Sequence, residues 1–152
     1  MSPSHERSTT LTDTTTSDRT GSDSRARALF AARAADDKQG SDVVALDVGG
    51  ILAIVDWFVI TSASNPRQVR TIAEEVEAQV KAQSGDGPLR VEGMDDGRWV
   101  LLDFGDVVVH VFLEEVRAFY ELERLWGDVP RLDWEADRPV SVAAADGSSG
   151  AR

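Results

Sequence analysis

Three places in this sequence hold residue types that could do chemistry: the glycine pair Gly49-Gly50, the carboxylates Asp56, Asp103 and Asp106, and the histidine His110. A phosphate cradle needs a strand, a glycine-rich turn and a helix N-terminus. Gly49-Gly50 leads instead into Ile51-Leu52-Ala53-Ile54-Val55, with no Lys-Ser or Lys-Thr, and reads as a simple turn. Metal-dependent nucleotidyl transfer needs two carboxylates one residue apart on a strand, both facing the metal pair. Two residues after Asp56 stands Phe58, and Asp103 and Asp106 lie three apart, flanking a turn. The only other histidine, His5, lies in a Ser/Thr-rich stretch, and the chain has no cysteine. A zinc site or hydrolytic triad around His110 therefore lacks its other members. These residues point to no catalytic centre, no metal and no cofactor.

A different kind of site is written in Trp99-Val-Leu-Leu-Asp-Phe104. Strand alternation puts Trp99, Leu101 and Asp103 on one face and Val100, Leu102 and Phe104 on the other. If helices cover the second face, the first presents an aromatic, an aliphatic and an acid together. That combination suits a protein interface, where aromatic anchors supply most of the energy. The alternative, that both faces are covered, stays open. In the strand Val107 to Leu113, alternation sets His110 beside Val108 and Phe112, in a structural or partner-contact role.

The elements that must position these residues are legible from periodicity. Ser24 to Asp37 reads as a helix with Ala26, Leu29, Phe30 and Ala34 on one side. Val43 to Val48 reads as an edge strand, and Trp57 to Thr61 as a strand covered on both faces. The next helix has Asn65 as N-cap, Pro66 at its first position and Gln68 as the third residue of a capping box. Its apolar face is Val69, Ile72, Ala73, Val76 and Val80, and Gly85 and Gly87-Pro88 stop it. Three strands follow: Leu89 to Met94, Trp99 to Phe104 and Val107 to Leu113. Asp95-Asp96-Gly97 joins the first two, and Gly105-Asp106 forms a two-residue hairpin loop between the last two. A last helix runs from Glu114 to about Trp126, with Val116, Phe119, Tyr120 and Leu125 free to face the core. The sum is an α/β (α+β) domain, a mixed β-sheet of about five strands with packed helices.

Composition bounds what such a domain does. Its 152 residues suit one domain with tails. Residues 1–23 are rich in Ser, Thr and Asp and read as a disordered N-terminal tail, 24–135 as the folded domain, and 136–152 as a disordered C-terminal tail. The longest apolar run, Ile51 to Ile60, is too short to span a membrane and contains Asp56, and no secretory signal opens the chain. Together with the lack of cysteine, this fits the cytoplasm. The formal net charge is -11, which repels nucleic acid at long range. On a ribonucleoprotein particle, such a chain should meet a basic protein rather than mainly bare RNA, and on charge alone the alternative that the acidity serves solubility stays open.

Several stretches together resemble one family, the ribosomal silencing factors of the Iojap group. They are Ala45-Leu46-Asp47-Val48, Asp56-Trp57-Phe58-Val59-Ile60, Arg67-Gln68-Val69, Trp99 through Phe112, and Glu115 through Trp126. They span most of the folded region in the family's order. Trp57, where the family often has tyrosine, and Ala63, near which it commonly has glycine, are mild departures. The resemblance implies a non-catalytic domain of nucleotidyltransferase-like topology. It also implies binding to the fourteenth large-subunit ribosomal protein, which sterically blocks small-subunit joining and lowers translation when nutrients are scarce. On this reading Trp99 and Leu101 are anchors, Asp103 and Asp106 meet basic side chains, and His110, Glu115 and Arg117 lie at or near the rim. A nucleotidyltransferase-like enzyme and a dimeric adaptor for another protein are the competing readings, and the sequence leaves a homodimer open.

Overall fold

The structure is a computed structural model, and it describes residues 23–136. Both expected tails, and His5 with them, lie outside the described residues, apart from Asp23 and Ala136 at their inner ends.

The elements in chain order are α1 (residues 23–37), β1 (Ser41–Asp47), β2 (Trp57–Ala63), α2 (Pro66–Ser84), β3 (Arg90–Glu92), β4 (Trp99–Asp103), β5 (Val107–Leu113), α3 (Glu114–Tyr120) and α4 (Leu122–Leu125). The strands form one mixed sheet in the order β1-β2-β5-β4-β3. β2 and β5 pair in parallel over seven residues, from Trp57–Val107 to Ala63–Leu113, and every other pairing is antiparallel. The expected mixed five-stranded sheet with helices packed on it is what the chain forms.

β5 lies second from neither edge and is buried at all seven positions, as its near-continuous apolar run requires. α2 covers one face. Its N-cap forms as expected, with Asn65 Oδ1 accepting from Gln68 N at 2.9 Å. Val69, Ile72, Ala73, Val76 and Val80 are all buried, and the helix ends in Gly85 at φ 90°. The reciprocal half of the capping box is absent. Gln68 Nε2 donates to the Lys38 and Gln39 carbonyls instead, fastening α2 to the end of α1. α1 buries Ala28, Ala31, Ala32, Ala34 and Ala35, small side chains that let its backbone approach its neighbours.

Two boundaries differ from expectation. β3 is only Arg90–Glu92, because Gly93 turns the chain at φ +89°. A Cβ at Gly93 would collide with the Trp99 carbonyl oxygen, so only glycine fits there. The last helix is broken. Glu121 adopts the left-handed conformation (φ 52°, ψ 51°) and its N–H donates to the Arg117 carbonyl at 2.8 Å, closing α3 before α4 begins.

The Asn65 cap is a single exposed-side interaction that can be removed cleanly. Asn65→Ala should lower unfolding free energy by about 1 kcal/mol, read as a lower midpoint in urea with an unchanged slope.

Candidate functional site

The register places the side chains of the expected patch on one face of the sheet. Opposite Leu101 on β5 stands His110, opposite Trp99 stands Phe112, and opposite Asp103 stands Val108. Opposite Val108 and His110 on β2 stand Phe58 and Ile60. This face is roofed on one side only. α3 packs on β2 and β5, and Trp126 meets Phe58 edge-on at 5.5 Å. Over β4 the face is open: Trp99, Leu101 and Asp103 are half-buried, whereas Val100, Leu102 and Phe104 on the other face are buried. The alternation read from the sequence is thus the observed one, and among the described residues no element covers this face of β4.

Trp99 stands at the boundary between roof and open sheet. Its ring lies 4.8 Å from Phe112 and 4.9 Å from Tyr120, and its Nε1 donates to His110 Nδ1 at 3.1 Å. That bond makes Nδ1 an acceptor, so the neutral imidazole carries its proton on Nε2. Nε2 is buried and has no hydrogen-bond partner among the described residues. Phe58 sits perpendicular to the imidazole at 5.1 Å, and Phe112 stacks on it at 6.0 Å. Burial in these aromatic surroundings pushes His110 down to about 4. His110 is therefore a neutral support under Trp99, not a residue at the rim.

The charged residues expected at the contact are largely engaged within the chain. Asp106 accepts two bonds from Arg27, at 3.1 and 2.9 Å, in a bidentate pair that ties α1 to the β4–β5 turn. The Asp106 carboxylate holds Arg27 above the ordinary arginine value. Asp103 Oδ1 accepts from Gly105 N at 2.8 Å, bracing the same turn, where Gly105 takes φ +96° in the first loop position. Its other oxygen lies 3.4 Å from Arg90. Glu115 is exposed. Arg117 is buried rather than at the rim, because its Nη1 donates to the Ser41 carbonyl and to Ser62 Oγ, both at 3.1 Å. It lies in a cleft of about 740 Å³ with Asp42, Glu114, Glu121, Arg124 and Arg131, where three acids balance three bases.

The last two helices expose apolar surface that periodicity had assigned to the core. Val116 is buried as expected, but Phe119 is 79%, Tyr120 50% and Leu125 74% exposed. Phe119 and Tyr120 already face outward in α3, the left-handed turn at Glu121 sets α4 with Leu125 beyond them, and the three residues line one shallow hollow. Tyr120 touches Trp99 on one side and Phe119, at 5.0 Å, on the other. Leu101, Trp99, Tyr120, Phe119 and Leu125 thus form a continuous apolar surface flanked by Glu92, Glu121 and Arg124. Among the described residues no group of three His, Asp or Glu side chains could hold a metal ion. What the arrangement can do is dock another macromolecule through aromatic anchors on a rigid sheet.

Residues 21–151 match the family model described as "Ribosomal silencing factor during starvation". The chain is 47% identical over 104 residues to the ribosomal silencing factor of Bacillus subtilis, covering 68% of this chain and 87% of that one. It is 47% identical over 106 residues to the Halalkalibacterium halodurans factor, covering 70% and 90%. A crystal structure of a Chromobacterium violaceum protein superposes with a TM-score of 0.65 at 32% identity, over 80% of this chain and 95% of that one.

The Trp99–His110 pair makes two quantities measurable. Trp99→Phe keeps an aromatic ring but leaves His110 Nδ1 without its donor, and should cost about 1–3 kcal/mol of stability. Stability should also depend on pH through His110. Above the unfolded value of about 6.5, both states are neutral and the fold keeps its full stability. As pH falls from 6.5 to about 4, the unfolded chain takes up a proton that the folded one refuses. The loss approaches about 1.4 kcal/mol per pH unit, roughly 3 kcal/mol by pH 4. Urea titrations at several pH values should show this slope in the wild type and lose it in His110→Gln.

Proposed function

The chain belongs to the ribosomal silencing factor family, and from that premise we propose that it binds the large ribosomal subunit through the fourteenth large-subunit ribosomal protein and so blocks joining of the small subunit. Translation would be lowered by occupancy alone when nutrients are scarce. The protein acts in the cytoplasm, without a catalytic step and without DNA. The observation that carries this reading is the continuous apolar surface Leu101–Trp99–Tyr120–Phe119–Leu125 on a chain of net charge -11. Uncovered aromatic side chains at the centre of a patch are the usual anchors of protein interfaces. An acidic surround favours a basic partner such as a ribosomal protein and speeds its encounter. Among the described residues no helix is long and apolar enough to cross a membrane.

The residues are assigned by their setting. Trp99 and Leu101 are the central anchors, and Tyr120, Phe119 and Leu125 extend the contact along α3 and α4. Asp103 and Glu115 lie where basic side chains can reach them. Asp106 and Arg117 act indirectly, the first by holding the β4–β5 turn and the second by holding α3 against the sheet.

Co-sedimentation with isolated subunits, followed by a subunit-joining assay, tests this. The wild type should pellet with the large subunit alone and reduce joining. The double variant Phe119→Ala/Leu125→Ala should bind at least about tenfold more weakly, a loss of about 1.4 kcal/mol or more. Both side chains are mostly exposed, so its melting temperature should stay close to that of the wild type. Binding to neither subunit, or full binding by the double variant, would overturn the assignment.

A further inference from the structure

The β1 edge of the sheet is occupied by the chain itself. Residues 130–134 run along it antiparallel, centred on a bridge between Leu46 and Arg131. Asp47 N donates to the Pro130 carbonyl at 2.8 Å, and Leu132 N donates to the Ala45 carbonyl at 2.9 Å. Two residues further on, Trp134 Nε1 donates to the Val43 carbonyl at 3.1 Å, and the Trp134 ring is buried. The indole N–H thus stands in for the backbone N–H that a longer strand would supply. Beyond Val43 the ladder is interrupted by the irregularity between Ser41 and Val44 and by Asp42 at φ +49°. The outward groups of Val43, Ala45 and Asp47 are those the arm engages.

The opposite edge is protected differently. β3 is three residues long, and its Arg90 and Glu92 are exposed charges. A short, charged edge is a poor template for pairing. β1 has neither defence: it is seven residues long and its centre is Val43-Val44-Ala45-Leu46. Uncovered, it would present a long apolar edge of the kind that recruits another strand.

We infer that the 130–134 arm serves as a sixth strand, and that its docking keeps the β1 edge from pairing with the β1 edge of a second copy of this chain. The edge already accepts an antiparallel strand, and a two-fold pairing of β1 with itself is antiparallel. Centred on Ala45, it sets Ala45 against itself and Val43 against Asp47 of the other copy. The outward groups released by the arm are then satisfied again, and the smallest side chain lies at the axis. No two aspartates face each other directly in that register. The arm is held by two backbone bonds, one indole bond and the packing of Leu132 and Trp134 on the core, and Gly127 lies between it and α4.

The test uses the full chain carrying Leu132→Pro and Trp134→Phe, which remove the Leu132 N–H and the indole N–H but keep apolar bulk. Amide exchange at Asp47 and sedimentation velocity are read side by side with the wild type. Asp47 should be protected in the wild type and exchange at least about tenfold faster in the variant. The variant should show an association step absent from the wild type at the same concentration. A peptide spanning residues 128–136, added in trans, should reverse that step. Should the double variant fail to fold, Trp134→Phe alone should show both effects in smaller measure. Free exchange of Asp47 in the folded wild type would overturn the arm. Opening at Asp47 with no new association, or association that the peptide does not reverse, would overturn the second copy as the occupant.

Discussion

The parallel pairing of β2 with β5 is the constraint on which the rest of this molecule depends. Parallel strands cannot be joined by a tight hairpin, so the chain between them must cross over, and here α2, β3 and β4 make the journey. Parallel strands are also stable only when both faces are covered. α2, nineteen residues long, covers one face of the sheet. The other face receives α3 and α4, of seven and four residues. At 1.5 Å per residue, α3 is only about 10 Å long. Five strands at about 4.8 Å spacing span roughly 19 Å. The roof is therefore too small for the sheet, and it is placed over the parallel pair that needs it most. The open half over β4 follows from this mismatch rather than from any local feature of β4.

At the boundary between roofed and open sheet, a side chain must be apolar on one flank and tolerant of water on the other. Tryptophan meets both conditions, with a large apolar ring and one polar hydrogen. Trp99 leans on Phe112 and Tyr120 and spends its N–H on His110. The histidine is in turn packed against Phe58, which meets Trp126 at the end of α4. One chain of ring contacts thus runs from the open patch across this face of the sheet to the end of the last helix. Trp99 is locked in place before any partner arrives, which reduces the ordering cost of binding.

The sheet, the long helix and the face assignments on β4 were legible because strand alternation and helical spacing act on burial directly. Val100, Leu102 and the Val69–Val80 stripe needed no tertiary information. Three features were not legible. The break at Glu121 is a left-handed turn at a residue type with no strong preference for it, so periodicity ran past it to Leu125, and Phe119 and Tyr120 just before it face outward where an uninterrupted helix was expected to bury them. Gln68 is correctly spaced for a capping box, but the α1 terminus offers it two carbonyls, a contact remote in sequence. Arg117 and Asp106 look like surface charges in one dimension, and only the fold brings Ser62 and Arg27 to them. Of the candidate surface, the Trp99–Leu101 half came from the strand pattern and the α3–α4 half from the fold.

The internal engagement of these charges also decides how electrostatics can act in the proposed complex. A partner's basic side chain could reach Asp106 only by displacing the bidentate Arg27, which would leave a partly buried guanidinium unpaired. Breaking such a pair costs more than a surface ion pair returns. Asp103 spends one oxygen on Gly105 and meets the exposed Arg90 with the other, so a partner gains only a surface ion pair there. Contact energy must therefore come chiefly from the apolar surface, whose side chains have no competing partner of this kind. The net charge of -11 acts instead at range, raising the rate of encounter with a basic surface and fading as salt screens it. In a complex built this way, added salt slows association while leaving dissociation nearly unchanged, because the groups that hold the partner are not the groups that attract it.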